Sequence, residues 1–372
     1  MAGIYLHIPF CKQACHYCNF HFSTSLKLKN DFLEGLLKEI ELRKNYLQGK
    51  TVNSIYFGGG TPSLLDQDEL GIIFNTLHKF FTIDQQAEIT FEANPDDVTV
   101  ARASDWKIAG INRLSMGVQS FYQEDLQWMN RAHTAGQALE SIRIVQNAGF
   151  DNITIDLIYG SPGLSDEKWS HNVQQALQLG IPHLSCYALT VEPQTALADM
   201  ITKKKSPPVQ SDDQARQFVL LMDWLSDAGF EHYEISNFSK PGKHSRHNSS
   251  YWSGEPYLGL GPSAHSYNGV TRQWNVANNA KYIQALQTGV VPCEIEELSF
   301  NNRHNEFVMI SLRKNEGIDK ARFAKLFGEK NLEVLAKGLR KYVGKVEEDN
   351  LSFRLTREGK LFADGIAGDL FV

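Results

Sequence analysis

Residues 4–18 read IYLHIPFCKQACHYC and contain the two features from which we predict the fold, an apolar run and a group of cysteines. The apolar residues from Ile4 to Ile8 predict a short buried β-strand, and a loop rich in cysteine follows it directly. Cys11, Cys15 and Cys18 are three of the 5 cysteines in the whole chain. Thiols grouped so closely after a strand indicate a ligand-binding loop at the carboxyl end of that strand.

The rest of the chain repeats this rhythm of strand, loop and helix, which predicts a parallel sheet with right-handed helical crossovers. A cap at Asn30 is expected to begin the first helix. The expected strands cover 4–8, 54–57, 88–92, 113–118, 153–158, 183–189 and 233–235, and later helices cover 67–80, 99–109, 135–148, 167–179 and 212–228. No G-x-G-x-x-G follows the first strand, so the pattern favours an α/β fold with a partial (β/α)6 barrel of the TIM type.

The pattern changes near residue 290, which predicts two domains over 1–290 and 291–372. In the second, short helices over 305–313, 320–327 and 332–342 precede a strand over 351–355, an α+β arrangement typical of a winged helix. Winged helices often bind DNA, but the basic Lys337, Arg340 and Lys341 are followed by acidic residues at 347–349. This mixed surface favours a solvated face, so no nucleic-acid partner is predicted.

The composition excludes several classes of protein. A chain of 372 residues with 42% hydrophobic residues can bury a large core and is not a disordered tail. The net charge of −6 gives no general attraction to nucleic acid or anionic membranes. We find no secretory-signal pattern and no apolar run of about 18 residues that would predict a transmembrane segment. A cytoplasmic protein with reduced thiols is therefore expected.

The three clustered cysteines can bind metal in two ways. A structural zinc site has four closed ligands, and His7, His16 or His21 can supply the fourth. A [4Fe–4S] cluster held by three cysteines leaves one iron open to a small chelating molecule. The other motifs of the chain favour the cluster.

Further motifs accompany the cysteines in a characteristic order. They read YLHIPFC at 5–11, GGGTPS at 58–63, EANP at 92–95 and SMGVQSF at 115–121. Together with the cysteine spacing, they resemble the radical S-adenosylmethionine (SAM) superfamily, in the branch around the oxygen-independent coproporphyrinogen III oxidase. This resemblance covers nearly the whole chain and implies one [4Fe–4S] cluster on the three cysteines, bound SAM, and a barrel that holds both.

The resemblance also implies which residues contact SAM. Glycines let the backbone approach the ligand closely, and an arginine can pair with its carboxylate. The implied residues are Tyr5, Tyr17, Gly59, Gly60, Thr61, Glu92, Gln119, Arg131 and Asp156, with Arg131 on the carboxylate and Tyr17 packed on the adenine. Taken singly, each has an ordinary structural explanation, as a tight turn, a surface carboxylate or a core aromatic.

Two features separate the oxidase from its relatives in this branch, the HemW-type heme chaperones. The oxidase carries a further cysteine two places after the third, and here Phe20 stands at that position, so oxidase activity is not expected. Residues 247–252 read HNSSYW and match the H-N-x-x-Y-W motif of the chaperones. The resemblance implies that His247 ligates heme iron and that Tyr251 and Trp252 stack against the macrocycle.

The function that this resemblance predicts is heme traffic. The protein would accept heme and pass it to heme-dependent respiratory proteins, including acceptors at a membrane surface. The sequence does not fix the oligomeric state, and a dimer is one of the options. The alternatives are the oxidase, which decarboxylates propionates to vinyls through a radical, and more weakly a cluster-sensing DNA-binding regulator. For the motif itself, the alternatives are an ordinary loop histidine or a zinc site made by His244, His247 and His265.

A short basic segment precedes the HNSSYW motif. It contains Lys240, Lys243, His244 and Arg246 in an otherwise acidic protein. Cationic side chains can hold the propionates of heme, so this segment is a predicted anchor, with a solvated loop as the alternative.

Overall fold

The computed structural model describes residues 1–372 and contains one large and one small β-sheet. The strands of the large sheet are β1 (Ala2–Ile8), β2 (Val52–Gly59), β3 (Ile83–Ala93), β4 (Arg113–Gln119), β5 (Ile153–Tyr159), β6 (His183–Ala188), β7 (Glu231–Glu234), β8 (Asn237–Ser239), β9 (Tyr257–Leu260), β10 (His265–Tyr267), β11 (Thr271–Asn275) and β12 (Cys293–Glu297). The small sheet contains β13 (Ile318–Asp319), β14 (Val346–Glu348) and β15 (Ser352–Leu355).

The helices alternate with the strands over most of the chain. They are α1 (Lys29–Leu42), α2 (Gln67–Phe80), α3 (Val100–Ile108), α4 (Gln123–Trp128), α5 (Ala135–Asn147), α6 (Asp166–Gln178), α7 (Ala196–Thr202), α8 (Ser211–Asp227), α9 (Arg246–Ser253), α10 (Asn279–Gln287), α11 (Phe300–Leu312), α12 (Lys320–Phe327), α13 (Glu329–Leu339) and α14 (Ala363–Gly368). None of them is long and apolar enough to cross a membrane.

The large sheet forms the predicted partial barrel. Its order is β12-β11-β10-β9-β1-β2-β3-β4-β5-β6-β8-β7, with every neighbour from β1 to β6 parallel. Strand β9 adds to β1 in parallel, while β10–β12 and β7–β8 extend the two edges in antiparallel pairs. The edge strands β7 and β12 do not pair with each other, so the barrel stays open.

The helix ends follow local chemistry. Asp66 and Glu69 form a reciprocal capping box at the start of α2, which satisfies free backbone N–H groups. Gly110 and Gly149 follow α3 and α5 with φ of +91° and +84°, the left-handed conformation in which glycine has no steric penalty. The cap expected at Asn30 is wrong, because α1 already begins at Lys29 and Leu28 occupies the capping position.

The C-terminal region has its own apolar core. Its buried cluster is separate from that of the large sheet and includes Phe307, Val308, Phe323, Leu335 and Phe353. Helices α11–α13 and the three-stranded sheet β13-β15-β14 give the winged-helix-like arrangement that the sequence predicts. Strand β12 falls within the predicted second domain by residue number, yet it pairs with β11 at the edge of the large sheet.

Candidate functional site

A cavity of about 460 Å³ opens at the carboxyl ends of the parallel strands, beside the loop that follows β1. Cys11, Cys15 and Cys18 line it as partly exposed free thiols. The hydroxyl of Thr61 donates to Cys11 Sγ at 3.4 Å, and Arg131 Nη1 donates to Cys15 Sγ at 3.2 Å. We call this space the cysteine cavity, because three thiols from one loop share it.

The chemistry of these thiols suits an iron–sulfur cluster. Burial raises the pKa of Cys11 to about 11 and also raises the pKa of Cys18, so both sulfurs keep their protons until a cation binds. A bound iron centre would deprotonate them outright. The donors from Thr61 and Arg131 would then stabilise ionised sulfur, since each points a hydrogen at a sulfur atom. The donor set therefore fits an anionic cluster held by three thiolates.

The histidines considered for a zinc site lie outside this cavity. His7 Nε2 donates to the carbonyl oxygen of His21 at 2.8 Å, and His21 Nε2 donates to Asn279 at 2.6 Å. His16 Nδ1 donates to the carbonyl oxygen of Trp128 at 2.8 Å. None of the three lines the cysteine cavity. The histidine rings considered for a zinc site are thus hydrogen-bonded to other groups, away from the three thiols.

Two partly buried carboxyl groups line the polar side of the cysteine cavity. Glu92 lies near the end of β3 and accepts a hydrogen bond from the Tyr56 hydroxyl at 2.7 Å, while Asp156 lies in β5. Burial raises the pKa of both Glu92 and Asp156 to about 7. Carboxyl groups that titrate near neutrality can accept an ammonium group or a ribose hydroxyl, which gives the buried charge a partner.

Arg131 is a partly buried cation of the same cavity. Its Nη2 donates to Asn94 Oδ1 at 2.6 Å and to the carbonyl oxygen of Gly117 at 2.7 Å, which fixes the guanidinium plane. Its Nε is buried and has no hydrogen-bond partner. An unpaired buried donor costs about 1–3 kcal/mol, so a ligand carboxylate that reaches Arg131 would gain a charge-assisted bond and relieve that cost.

The loop after β2 packs its backbone directly against the cysteine loop. Gly59 has φ +102°, and a Cβ there would lie 2.5 Å from His7 Nδ1. A Cβ on Gly60 would lie 2.7 Å from the carbonyl oxygens of Ile8 and Phe10. Any side chain at either position would push the two loops apart, so glycine is required there. The close approach brings backbone polar groups to the wall of the cysteine cavity.

Most residues that the resemblance assigns to SAM lie around the cysteine cavity. They are Tyr17, Gly59, Gly60, Thr61, Glu92, Gln119, Arg131 and Asp156. Gln119 has φ +68°, a costly conformation for a residue with a Cβ, at the point where β4 ends. Tyr5 is the exception, since its hydroxyl lies 3.3 Å from His7 Nδ1 and it lines a different cavity.

Several residues of the cysteine cavity were not predicted from the sequence. Tyr56, Asn94, Arg113 and Tyr187 also line it. Tyr56 lies near the carboxyl end of β2 and Asn94 directly follows β3, so their positions at the ends of parallel strands were an available signal. Arg113 lies at the start of β4, far from the strand's carboxyl end, and only the tertiary structure shows that it reaches this cavity.

A second cavity of about 920 Å³ is lined by residues of the large sheet and of helices α9, α11 and α12. We call it the aromatic cavity. Its walls include Tyr5, Phe20, Tyr251, Trp252, Tyr257, Tyr267, Phe307, Met309, Leu326 and Phe327. Asn19 and Phe20 of the cysteine loop line both cavities, so the two spaces lie side by side.

The histidine of the HNSSYW motif lies in the protein interior. His247 is fully buried, with Nδ1 hydrogen-bonded to the Ser54 hydroxyl and Nε2 to the Tyr251 hydroxyl, both at 2.9 Å. Burial, together with the charge of Arg113, lowers the pKa of His247 to about 3, so the ring is neutral. Both ring nitrogens are engaged, and His247 lines neither cavity. Iron ligation by His247 stays a prediction, and it requires one of these hydrogen bonds to break.

The basic segment ahead of the motif also lies away from both cavities. Lys240, Lys243, His244 and Arg246 line neither of them. The imidazole of His244, for example, pairs with Glu231 at 2.8 Å. The structure therefore does not bring these side chains to a ligand bound beside Tyr251 and Trp252.

Comparisons with known proteins agree with this geometry. A model of the radical SAM superfamily matches residues 5–176, and a model of the HemN C-terminal domain matches residues 298–362. The heme chaperone HemW of Mycobacterium tuberculosis is 37% identical over 99% of this chain and 94% of its own length. The heme chaperone HemW of Bacillus subtilis is 32% identical over 99% of this chain and 98% of its own length.

A solved structure shares the fold. The coproporphyrinogen III oxidase HemN from Escherichia coli, described as a radical SAM enzyme, superposes with a TM-score of 0.86 at 22% identity, covering 100% of this chain and 90% of that one. The radical SAM superfamily implies a [4Fe–4S] cluster and SAM, and the cysteine cavity has the thiols, carboxyls and guanidinium to hold them. The chain belongs to the HemW family of radical SAM proteins.

Proposed function

We propose that this protein is a heme chaperone that holds heme in the aromatic cavity and passes it to heme-dependent proteins. The observation that carries the proposal is the size and lining of that cavity, about 920 Å³ with aromatic side chains on several walls. Heme is a flat, largely apolar macrocycle, and aromatic rings stack favourably against such a surface. Relatives that carry the heme chaperone name match this chain over 99% of its length.

Tyr251 and Trp252 are the proposed stacking residues for heme. Both lie on α9 and line the aromatic cavity. Trp252 Nε1 is buried without a hydrogen-bond partner, so a polar group of a ligand would satisfy it. The hydroxyl of Tyr251 is already hydrogen-bonded to His247 Nε2, which fixes the position of the phenol ring.

For the cysteine cavity, we propose that Cys11, Cys15 and Cys18 hold three irons of a [4Fe–4S] cluster. The fourth iron is then open to the amino and carboxylate groups of SAM, and the reduced cluster can supply an electron to that ligand. Arg131 would pair with the SAM carboxylate, while Glu92 and Asp156 would accept hydrogen bonds from its amino group or its ribose hydroxyls.

Gly59, Gly60 and Thr61 are proposed to contact the methionine part of SAM through their backbone. Gln119 and Tyr17 would complete the binding surface, with Tyr17 against the adenine. Tyr5 is a less direct candidate. It lines the aromatic cavity, and its ring packs on Tyr56 with the centroids 6.0 Å apart.

Oxygen-independent coproporphyrinogen III oxidase activity is the second candidate function. The adjacency of the two cavities favours it, because a porphyrinogen in the aromatic cavity would have an edge near the cysteine cavity at Asn19 and Phe20. Against it, Phe20 has no thiol where that oxidase carries its further cysteine. We therefore do not expect turnover.

We also propose partners, a cellular compartment and a domain boundary for this protein. Heme-dependent respiratory proteins, including ones at a membrane surface, are the proposed acceptors, and no nucleic acid is among the partners. The reducing cytoplasm would keep the three cysteines available for the cluster. We further propose a barrel unit over about residues 1–290 that carries the heme-binding extension, followed by a C-terminal unit. The pairing of β12 with β11 favours a boundary after Glu297.

Anaerobic reconstitution of the full chain tests the proposed function. The reconstituted protein should bind hemin with one-to-one stoichiometry and should leave coproporphyrinogen III unchanged in the presence of SAM and a reductant. Conversion to protoporphyrinogen IX would establish the oxidase instead. Failure of the cluster-loaded protein to bind hemin would contradict the chaperone proposal.

A further inference from the structure

The aromatic cavity is lined by three histidines that differ in whether their ring nitrogens are free. His7 has both nitrogens engaged, Nε2 with the carbonyl oxygen of His21 and Nδ1 with the Tyr5 hydroxyl. His21 uses Nε2 to donate to Asn279 and keeps Nδ1 unpaired, but its side chain is only partly exposed. His265 is exposed, and no hydrogen bond to a protein group engages its ring. It therefore has a lone pair available to a ligand.

The backbone around His265 holds its ring in place. The residue begins β10 and pairs with Trp274 of β11. The imidazole and the Trp274 ring stack with centroids 6.2 Å apart and an interplanar angle of 29°. Partial desolvation of the ring, together with the charge of Arg272, lowers the pKa of His265 and so favours the neutral imidazole, the form that binds iron.

Helices α11 and α12 contribute positive charge to the aromatic cavity. Arg303 of α11 and Arg322 of α12 both line it. Arg322 Nη2 donates to the carbonyl oxygen of Ser253 at 2.8 Å, which orients this guanidinium and leaves donors free. Glu306 is the acidic residue in the lining, and it pairs with Arg272 at 2.6 Å. The unpaired charge that remains is cationic and suits a ligand with carboxylates.

We propose that His265 is the axial ligand of the heme iron in the aromatic cavity, and that Arg303 and Arg322 hold the heme propionates. The inference rests on the proposed chaperone function and names the residues of that same site. It requires a ligand that combines an iron porphyrin with two carboxylate side chains. The neutral imidazole donates a lone pair to iron, so no protein bond breaks and no oxidant or reductant is needed.

Hemin titration of the full-length, cluster-loaded protein tests the iron ligand through the Soret band. His265→Ala should lose the imidazole-ligated band and lower hemin affinity by about tenfold or more, and free imidazole should restore the band. His78→Ala is the matched control, because His78 is an exposed histidine of α2 that lines neither cavity. A His265→Ala variant with the wild-type band and affinity would overturn the proposal.

The propionate anchors are tested with hemin dimethyl ester, which lacks the two carboxylates. The wild type should bind this ester about tenfold more weakly than hemin, and Arg303→Glu should remove most of that preference. An unchanged preference in Arg303→Glu and in Arg322→Gln would overturn this part.

The outcomes distinguish a failure of the His265 assignment from a failure of the proposed chaperone function. Wild-type protein that binds no hemin refutes the chaperone function itself. Wild-type protein that binds hemin, together with a His265→Ala variant of unchanged spectrum, refutes only the present inference. Loss of the ligated band in folded His247→Phe but not in His265→Ala would return the iron ligand to His247. Near-ultraviolet circular dichroism confirms that each variant is folded.

Discussion

The cysteine cavity and the aromatic cavity lie next to each other, yet they are built in different ways. The cysteine cavity is formed by the carboxyl ends of parallel strands and carries thiols, carboxyls and a partly buried guanidinium. The aromatic cavity is twice the volume, about 920 Å³ against 460 Å³, and depends on helices α11 and α12 of the C-terminal region for part of its wall. The first has the chemistry to hold a charged cofactor, whereas the second suits a flat apolar cargo.

This difference indicates how one barrel can provide separate binding sites for a cofactor and for a carried ligand. Phe20 lies where the two cavities adjoin and is 67% exposed, so an aromatic ring stands where a thiol would otherwise be available. The cofactor residues and the proposed heme residues overlap little beyond this loop. Substitutions on one side should therefore affect one ligand and spare the other.

The largest expected effect is on the cluster. Cys15→Ala removes one of the three thiols, and three-cysteine ligation fails without it, so the iron–sulfur absorbance of reconstituted protein should be lost almost completely. Cys293→Ser is the matched control, since Cys293 is a partly exposed thiol outside both cavities. Visible absorbance and iron content measure the effect. Full cluster content in Cys15→Ala would contradict the assignment.

The second-largest expected effect is weaker SAM binding after removal of the Arg131 guanidinium. Arg131→Met deletes the cation that is proposed to pair with the SAM carboxylate. Loss of such a charge-assisted hydrogen bond corresponds to about 2–3 kcal/mol, or roughly 30- to 150-fold in affinity. Equilibrium dialysis with labelled SAM measures it, and hemin affinity should stay unchanged. Arg143→Ala, an exposed arginine on α5, is the control. Equal losses for SAM and hemin would show that the two cavities are not independent.

SAM binding should also depend on pH. The raised pKa of Glu92, about 7, means that its carboxyl is mostly neutral at pH 6 and mostly ionised at pH 8, so affinity for a cationic ligand should rise about tenfold across this interval. The sign is opposite for the empty protein, whose folded state loses stability as pH rises from the ordinary glutamate range through 7. Glu92→Gln should weaken both trends, and Glu92→Gln combined with Asp156→Asn should flatten them, because burial raises the pKa of Asp156 to about 7 as well. A pH-independent SAM affinity in the wild type would contradict the role of Glu92.

The smallest expected effect is on heme stacking. Trp252→Ala removes one aromatic ring that would stack on heme, a contact that contributes about 1 kcal/mol. The affinity for hemin should fall about fivefold, and the affinity for SAM should not change. Phe362→Ala, at a partly exposed phenylalanine outside both cavities, is the control. Hemin titration gives the result. A larger loss of SAM affinity than of hemin affinity would show that Trp252 contacts SAM instead of heme.

The strand–helix alternation and the cysteine loop could be predicted because both depend on local sequence. Helix α2 begins at Gln67 and ends at Phe80, as its helical pattern predicts. Strands β9–β12 were not predicted, since they are short and pair in an antiparallel edge that only tertiary contacts select. The residues proposed for SAM came from the family resemblance, and the parallel strands bring most of them to the cysteine cavity.

The residues proposed for heme were harder to predict for a physical reason. His247 is part of a recognisable motif, but its burial depends on Ser54, a partner on β2 far away in the sequence. His265 has no comparable motif around it. It reaches the aromatic cavity because β10 pairs with β11 and because α11 and α12 pack opposite. Such a site becomes visible only when distant segments are assembled.

The central claim is that heme and the cluster occupy separate, adjacent cavities. The direct measurement is anomalous diffraction at the iron edge from crystals of the full chain loaded with both cluster and hemin. Our account predicts two iron sites, a cluster bounded by Cys11, Cys15 and Cys18 and a single iron in the aromatic cavity among Tyr251, Trp252 and His265. A heme iron located outside the aromatic cavity would contradict the account.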